Sequence, residues 1–260
     1  MTLLLLCTAA CSTVTSNGLM EGASPETSVL TLSRYDGNKT TSWYSADTAT
    51  AQDVLDRLDQ VKVAEAIDWS IDKITLPIYG LYIAKTDGYG LFAAWSNGYW
   101  ITQDGMVYKY KFDFSNLTTE YSWTNERAYN GITYFPNAWF LTHDYSGWYS
   151  TLLTPAGTIY PPAGITMTLE SQSIDSITIK LTNETDEPWM FGEHFSIQVL
   201  LGDLWYEIPT TPGHWAFNDI GLILNAGAEQ TKTYGLLMYG NLPAGLYRLV
   251  SYNLSVEFTV

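Results

Sequence analysis

The stretch Asn241-Leu242-Pro243-Ala244-Gly245-Leu246-Tyr247-Arg248-Leu249-Val250 runs through Ser251-Tyr252-Asn253 into Leu254-Ser255-Val256-Glu257-Phe258-Thr259-Val260, and it decides the fold of the C-terminal region. A Pro-Ala-Gly turn enters an alternating strand, a Tyr sits at a fixed offset from that turn, and a second alternating strand follows. In a β-sandwich, a Tyr so placed hydrogen-bonds back to upstream backbone and locks the corner. Upstream of it, short alternating segments recur at sandwich spacing: 165–170, 174–182, 194–201, 204–208, 220–224, 230–238, 246–252 and 254–260.

Three quoted segments carry a resemblance. Asn183-Glu184-Thr185, Trp205-Tyr206-Glu207-Ile208-Pro209 and the Leu242-Pro243-Ala244-Gly245-Leu246-Tyr247-Arg248-Leu249-Val250 run, with the closing Val256-Glu257-Phe258-Thr259-Val260, resemble a bacterial immunoglobulin-like (Ig-like) domain family. That family occurs on secreted and membrane-anchored proteins of Gram-positive bacteria. The resemblance covers about residues 165–260 and implies a β-sandwich outside the cytoplasm. It transfers no activity, because the family shares none. The N-terminal region resembles no recognised family.

The first residues read Met1-Thr2-Leu3-Leu4-Leu5-Leu6-Cys7-Thr8-Ala9-Ala10-Cys11-Ser12. This apolar run is too short to span a bilayer, which takes about 20 apolar residues, and its small-residue ending suits a secretion signal. Thr8-Ala9-Ala10-Cys11 resembles the bacterial lipoprotein box, which implies that residues 1–11 form a lipoprotein-type signal segment and that Cys11 is the site of lipid attachment. Thr8 stands where the family usually has Leu, and no Lys or Arg precedes the apolar run. Cys7 and Cys11 are the chain's two cysteines, so cleavage before Cys11 leaves one thiol and no intramolecular disulfide. The sandwich must then hold by packing without an inter-sheet bridge. Residues 12–27 are rich in Ser, Thr, Gly and Ala and read as a flexible tether spanning about 20–24 Å.

Twelve Lys plus Arg against twenty-seven Asp plus Glu give a net charge of −15. Such a surface repels phosphate backbones, which excludes nucleic acid as a partner and leaves the membrane to be reached through the N-terminal lipid. Ten Trp and nineteen Tyr suit pleated, β-rich surfaces.

Between the tether and the sandwich, residues 28–157 read as an α+β domain with an antiparallel β-meander and one main helix. Asp36-Gly37-Asn38-Lys39 is hairpin chemistry between two short extended runs. Thr50-Ala51-Gln52-Asp53 resembles a capping arrangement, with Val54, Leu55, Leu58 and Val61 on one helical face and Asp53, Asp56 and Asp59 solvated away from it. Strands are expected at 76–84, 89–96, 99–103 and 106–113, the turns at Asn97-Gly98 and Asp104-Gly105 supplying positive φ angles. A short helix is expected within 116–123, then extended structure over 130–153. The Pro- and Gly-rich stretch 154–164 reads as the boundary, with an all-β Ig-like sandwich over 158–260.

Chemistry is sparse. There is no Gly-rich phosphate loop and no Gly-x-Ser-x-Gly elbow, and His143, His194 and His214 are too dispersed for zinc. Ser70-Ile71-Asp72-Lys73 matches the Ser-x-x-Lys of penicillin-binding enzymes but lacks the downstream Lys-Thr-Gly that such sites need. No catalytic residue, metal ligand or cofactor is therefore assigned. The meander holds the candidate site. With Asn97-Gly98 as a two-residue loop, Trp95 opposes Trp100; with Asp104-Gly105 as another, Lys109 falls beside Trp100. One face then carries Phe92, Ala94, Tyr99, Ile101, Tyr108 and Tyr110 and is expected as the core. The other carries Ala93, Trp95, Trp100, Thr102, Lys109 and Lys111, and Trp95, Trp100 and Lys109 are the expected ligand platform, able to stack on a sugar or clamp a peptide. The alternative is that both Trp pack beneath the aromatic segment 130–153.

The function expected from the sequence is a lipid-anchored, extracytoplasmic, non-catalytic binding module for a glycan or peptide. The alternatives are a cell-wall or glycan-cleaving hydrolase, and a structural or partner-protein interaction module.

Overall fold

The computed structural model describes residues 23, 30–45, 47–61, 63–67, 73–84, 90–123, 125–144, 146–213 and 215–260. Cys11, the signal segment, most of the tether, Ser70 to Asp72 and His214 lie outside the described residues. Within the stretch expected as a tether, Ala23 forms a β-bridge and packs against the first core. The chain divides into two compact units, Met1–Asp36 with Thr41–Ala128, and Gly37–Thr40 with Tyr129–Val260.

The first unit is built from β1 (Leu30–Tyr35), β2 (Lys39–Ser45), α1 (Thr48–Asp59), β3 (Val63–Ala66), β4 (Ile78–Ala84), β5 (Gly90–Ser96), β6 (Tyr99–Ile101), β7 (Val107–Tyr110), α2 (Leu117–Glu120) and β8 (Asn125–Asn130). These strands form one sheet in the order β3-β7-β6-β5-β4-β1-β2-β8. Helix α1 is the one main helix of the unit, as expected, but it starts earlier than the Thr50 reading. Asp47 is the N-cap, its carboxylate accepting from the backbone N–H of Ala49 (3.3 Å) and Thr50 (3.1 Å). A carboxylate there satisfies orphan donors and meets the positive end of the helix dipole. Ala51, Val54, Leu55 and Leu58 are its buried face. They share a core with Leu30, Leu32, Leu81, Ile83 and Trp100 of the sheet.

The meander turns fix the register of this sheet. Asn97 and Gly98 have φ of 48° and 80°, the two-residue loop expected, and Trp95 pairs with Trp100 and Ser96 with Tyr99. The next loop is one residue longer than expected. Ile101 pairs with Val107, Thr102 donates its N–H to Met106 O (2.9 Å), and Gly105 takes the left-handed φ of 84°. A three-residue loop closed by a left-handed Gly is the common alternative to a two-residue turn. It shifts the pairing by one residue, which turns every side chain beyond it to the other face.

The second unit contains α3 (Ala138–Thr142), β9 (His143–Asp144), β10 (Gly147–Trp148), β11 (Thr154–Pro155), β12 (Ile165–Gln172), β13 (Ser176–Asn183), β14 (Trp189–Phe191), β15 (Ser196–Leu201), β16 (Leu204–Glu207), β17 (Leu222–Leu224), β18 (Glu229–Gly235), β19 (Leu246–Ser251) and β20 (Leu254–Thr259). Two main sheets, β11-β16-β15-β19-β20 and β12-β13-β18, are accompanied by a separate two-stranded β14-β17 ribbon. Alternating residues of both sheets fill one core, among them Ile177, Ile179, Ile197, Val199, Tyr247 and Leu249. All eight strands expected over 165–260 are present, and β14, which follows Pro188, is the additional one.

Residues 129–157 belong with this second unit, where the sequence placed them with the first. Trp139, Trp148 and Leu153 enter the sandwich's own core cluster. The Pro- and Gly-rich stretch is pinned too: Thr154 and Pro155 pair with Glu207 and Tyr206, and Ala156 N–H reaches Trp205 O (2.8 Å). Proline is tolerated in such an edge strand because the edge needs no further donor.

Candidate functional site

The structure corrects the expected platform of Trp95, Trp100 and Lys109. Trp100 is 1% exposed, sits in the core that α1 covers, and lies 5.0 Å from the Tyr110 ring. Trp95 is half-buried against Phe114 (5.2 Å) and donates its indole N–H to Tyr110 O (2.9 Å). Lys109 is exposed and opposes Tyr99, on the face opposite the tryptophans. Trp95 and Trp100 are paired across the hairpin as expected, but Lys109 does not join them, and the face expected to be open is the core face. The longer loop at 103–105 is the cause for Lys109, and the apolar stripe of α1 is the cause for Trp100.

A different cluster forms on the outer face of the β11-β16-β15-β19-β20 sheet. Gln198 of β15 is opposed by Glu207 of β16 on one side and by Arg248 of β19 on the other, and Arg248 is opposed by Glu257 of β20. Their strand neighbours Val199, Tyr247 and Phe258 point into the core, so alternation sends this row outward. Arg248 lies across β15. Its Nε–H donates to Gln198 Oε1 at 2.7 Å, and its guanidinium carbon stands 4.4 Å from the centroid of Trp205, which opposes Leu200 one pleat further along. Gln198, beneath it, is 4% exposed, whereas Arg248 and Trp205 are half-buried.

Two contacts hold the guanidinium flat, and its two Nη nitrogens find no acceptor among the described residues. Partial desolvation lowers the Arg248 pKa and nearby Glu257 raises it, but a guanidinium stays charged through any ordinary pH. Burial also raises the Glu207 carboxyl, with His194 pulling the other way. The arrangement is a rigid, half-exposed cation stacked on an aromatic ring, able to offer a planar fork of donors.

The tyrosine corner is a packing device. Tyr247 Oη donates to Pro243 O (2.5 Å) and accepts from Trp148 Nε1 (2.9 Å), and burial pushes its pKa up to about 12. His143 packs 4.1 Å from Trp139 and 4.6 Å from Trp148, with Nδ1 2.6 Å from Trp139 O. Burial lowers its pKa, while the Trp139 carbonyl and Asp144 oppose that shift. Next to it, hydrogen bonds from Ser146 and Tyr149 hold the Asp144 carboxyl at about 2. Tyr247 and His143 are thus spent on packing, and the exposed Asp144 on closing its own turn.

The fold and this surface define an Ig-like β-sandwich that carries an Arg–Trp stack on one outer sheet face, preceded by an antiparallel sheet with one main helix. Residues 161–259 match the model of the bacterial Ig-like domain family, which leaves the N-terminal region unassigned. No curated protein matches this chain. Arg248 and Trp205 stood inside the segments that carried the resemblance, but as marks of fold. The signal for a site was an arginine on the outward phase of a strand in a chain with few cations.

Proposed function

We propose that this chain is a surface-anchored, non-catalytic binding module for an extracellular glycan or peptide, and that it binds through the outer sheet face at Trp205 and Arg248. The observation that carries the reading is the guanidinium of Arg248, fixed by Gln198 and Trp205 with its outer edge unengaged among the described residues. A group already held in its binding geometry loses little entropy on engagement, and Trp and Arg dominate binding energetics where they cluster. The test is a titration of the full chain against cell-surface glycans and peptides, with Trp205→Ala as the variant. Trp205→Ala is expected to weaken binding at least about tenfold while the thermal transition hardly moves. Unchanged binding by the variant would take the function away from this face.

The anchoring half of the proposal rests on Thr8-Ala9-Ala10-Cys11. Two acyl chains are enough for stable attachment, whereas one is marginal. Mass spectrometry of the mature N-terminus is expected to show residues 1–10 removed and Cys11 lipidated. A product that keeps Met1, or an unmodified soluble form, would refute anchoring and leave the binding face untouched.

A further inference from the structure

We infer that the Arg248 fork is an anion receptor, and that the ligand of this face is a glycan bearing a carboxylated sugar. The inference rests on the binding role proposed above and adds the chemistry of the ligand. Arg34 and Arg57 have carboxylates within 4 Å (Asp36 at 3.6 Å for Arg34, and Glu120 for Arg57), whereas Arg127 and Arg248 have none among the described residues. Arg127 is exposed over Tyr44, while Arg248 is half-buried and fixed by Gln198. Glu257 stands across the ladder, near enough to act on the guanidinium but beyond contact. A ligand carboxylate meeting Nη1 and Nη2 would make the paired, parallel hydrogen bonds that guanidinium and carboxylate form best.

The setting selects among anions. A phosphate brings up to two negative charges, and a single guanidinium beside Glu257, on a chain of net charge −15, cannot balance them. One carboxylate matches one guanidinium. The setting also selects among polymers. β15 is paired on both sides, with β16 and β19, so a peptide laid over it meets no free backbone partner, and strand addition needs an open edge. A sugar ring needs no such ladder. Its carboxylate reaches the guanidinium edge, its hydroxyls stay wet, and its carbon face rests on Leu200 and Leu246, both half-buried beside the stack.

The experiment titrates the full chain with a glucuronate-containing oligosaccharide, its neutral glucose counterpart, an acidic peptide and inorganic phosphate. The glucuronate form is expected to bind at least about tenfold more tightly than the neutral one, a difference that shrinks as salt rises. Arg248→Gln is expected to erase that difference. Arg248→Lys, which keeps the charge but not the fork, is expected to lose most of it. Glu257→Gln changes an exposed residue and is expected to tighten the acidic ligand severalfold, which guards against a folding defect in the arginine variants. Equal binding of both sugars, with Trp205→Ala still disruptive, would overturn the anion receptor and spare the binding face. Preference for the peptide, or stronger competition from phosphate than from glucuronate, would overturn the carboxylated glycan. Failure of every ligand to bind would overturn the binding role itself.

Discussion

Trp100→Ala is expected to destabilise the first unit by about 3–5 kcal/mol, the usual cost of truncating a buried aromatic side chain. The residue is 1% exposed and packs with Tyr110, Phe114 and the apolar face of α1, so the truncation leaves a cavity that rigid neighbours cannot fill. Trp100→Phe separates packing from polarity. The Trp100 indole N–H is buried with no acceptor among the described residues, and Phe removes that unpaired donor while keeping a ring. Its expected cost is well below that of Ala. Chemical denaturation of both variants checks the pair, and a loss under about 1 kcal/mol for Ala would contradict the core assignment.

Tyr247→Phe is expected to cost the second unit about 1–3 kcal/mol with almost no change in volume. The hydroxyl serves two partners, so its removal strands the Pro243 carbonyl and the Trp148 indole N–H together. A buried group left unpaired costs more than the net gain of the bond it made. Denaturation followed by tryptophan fluorescence is the measurement, because Trp148 should report the lost bond. A neutral result would show that the corner is held by ring packing against Phe258, which lies 5.6 Å from Tyr247.

Legibility in the sequence followed the distance between partners. The eight sandwich strands could be read because alternation is local, and the tyrosine corner because its acceptor lies four residues upstream. The Asn97-Gly98 turn was legible for the same reason. Asp104-Gly105 was ambiguous, since the same dipeptide closes a two-residue or a three-residue loop, and that one residue decided where Lys109 points. Helix α3 escaped notice because five residues show no helical period and its aromatics favour strands; packing of Trp139 into the sandwich core overrode that preference. The Arg248–Gln198–Trp205 cluster was out of reach for a deeper reason. β15 and β16 are joined by a short turn, but β15 and β19 are distant in sequence, and no local pattern states that Gln198 will face Arg248.

The bond from Trp148 to Tyr247 reaches outside the segment that matches the family, 161–259. So does β11, which lies along the outer side of β16. A recombination event that carried 161–259 into another protein would transplant the tyrosine without its indole donor, and a strand edge without its cover. The structural unit therefore begins upstream of the family boundary. A host that received the shorter piece would have to grow its own replacement for Trp148, Thr154 and Pro155.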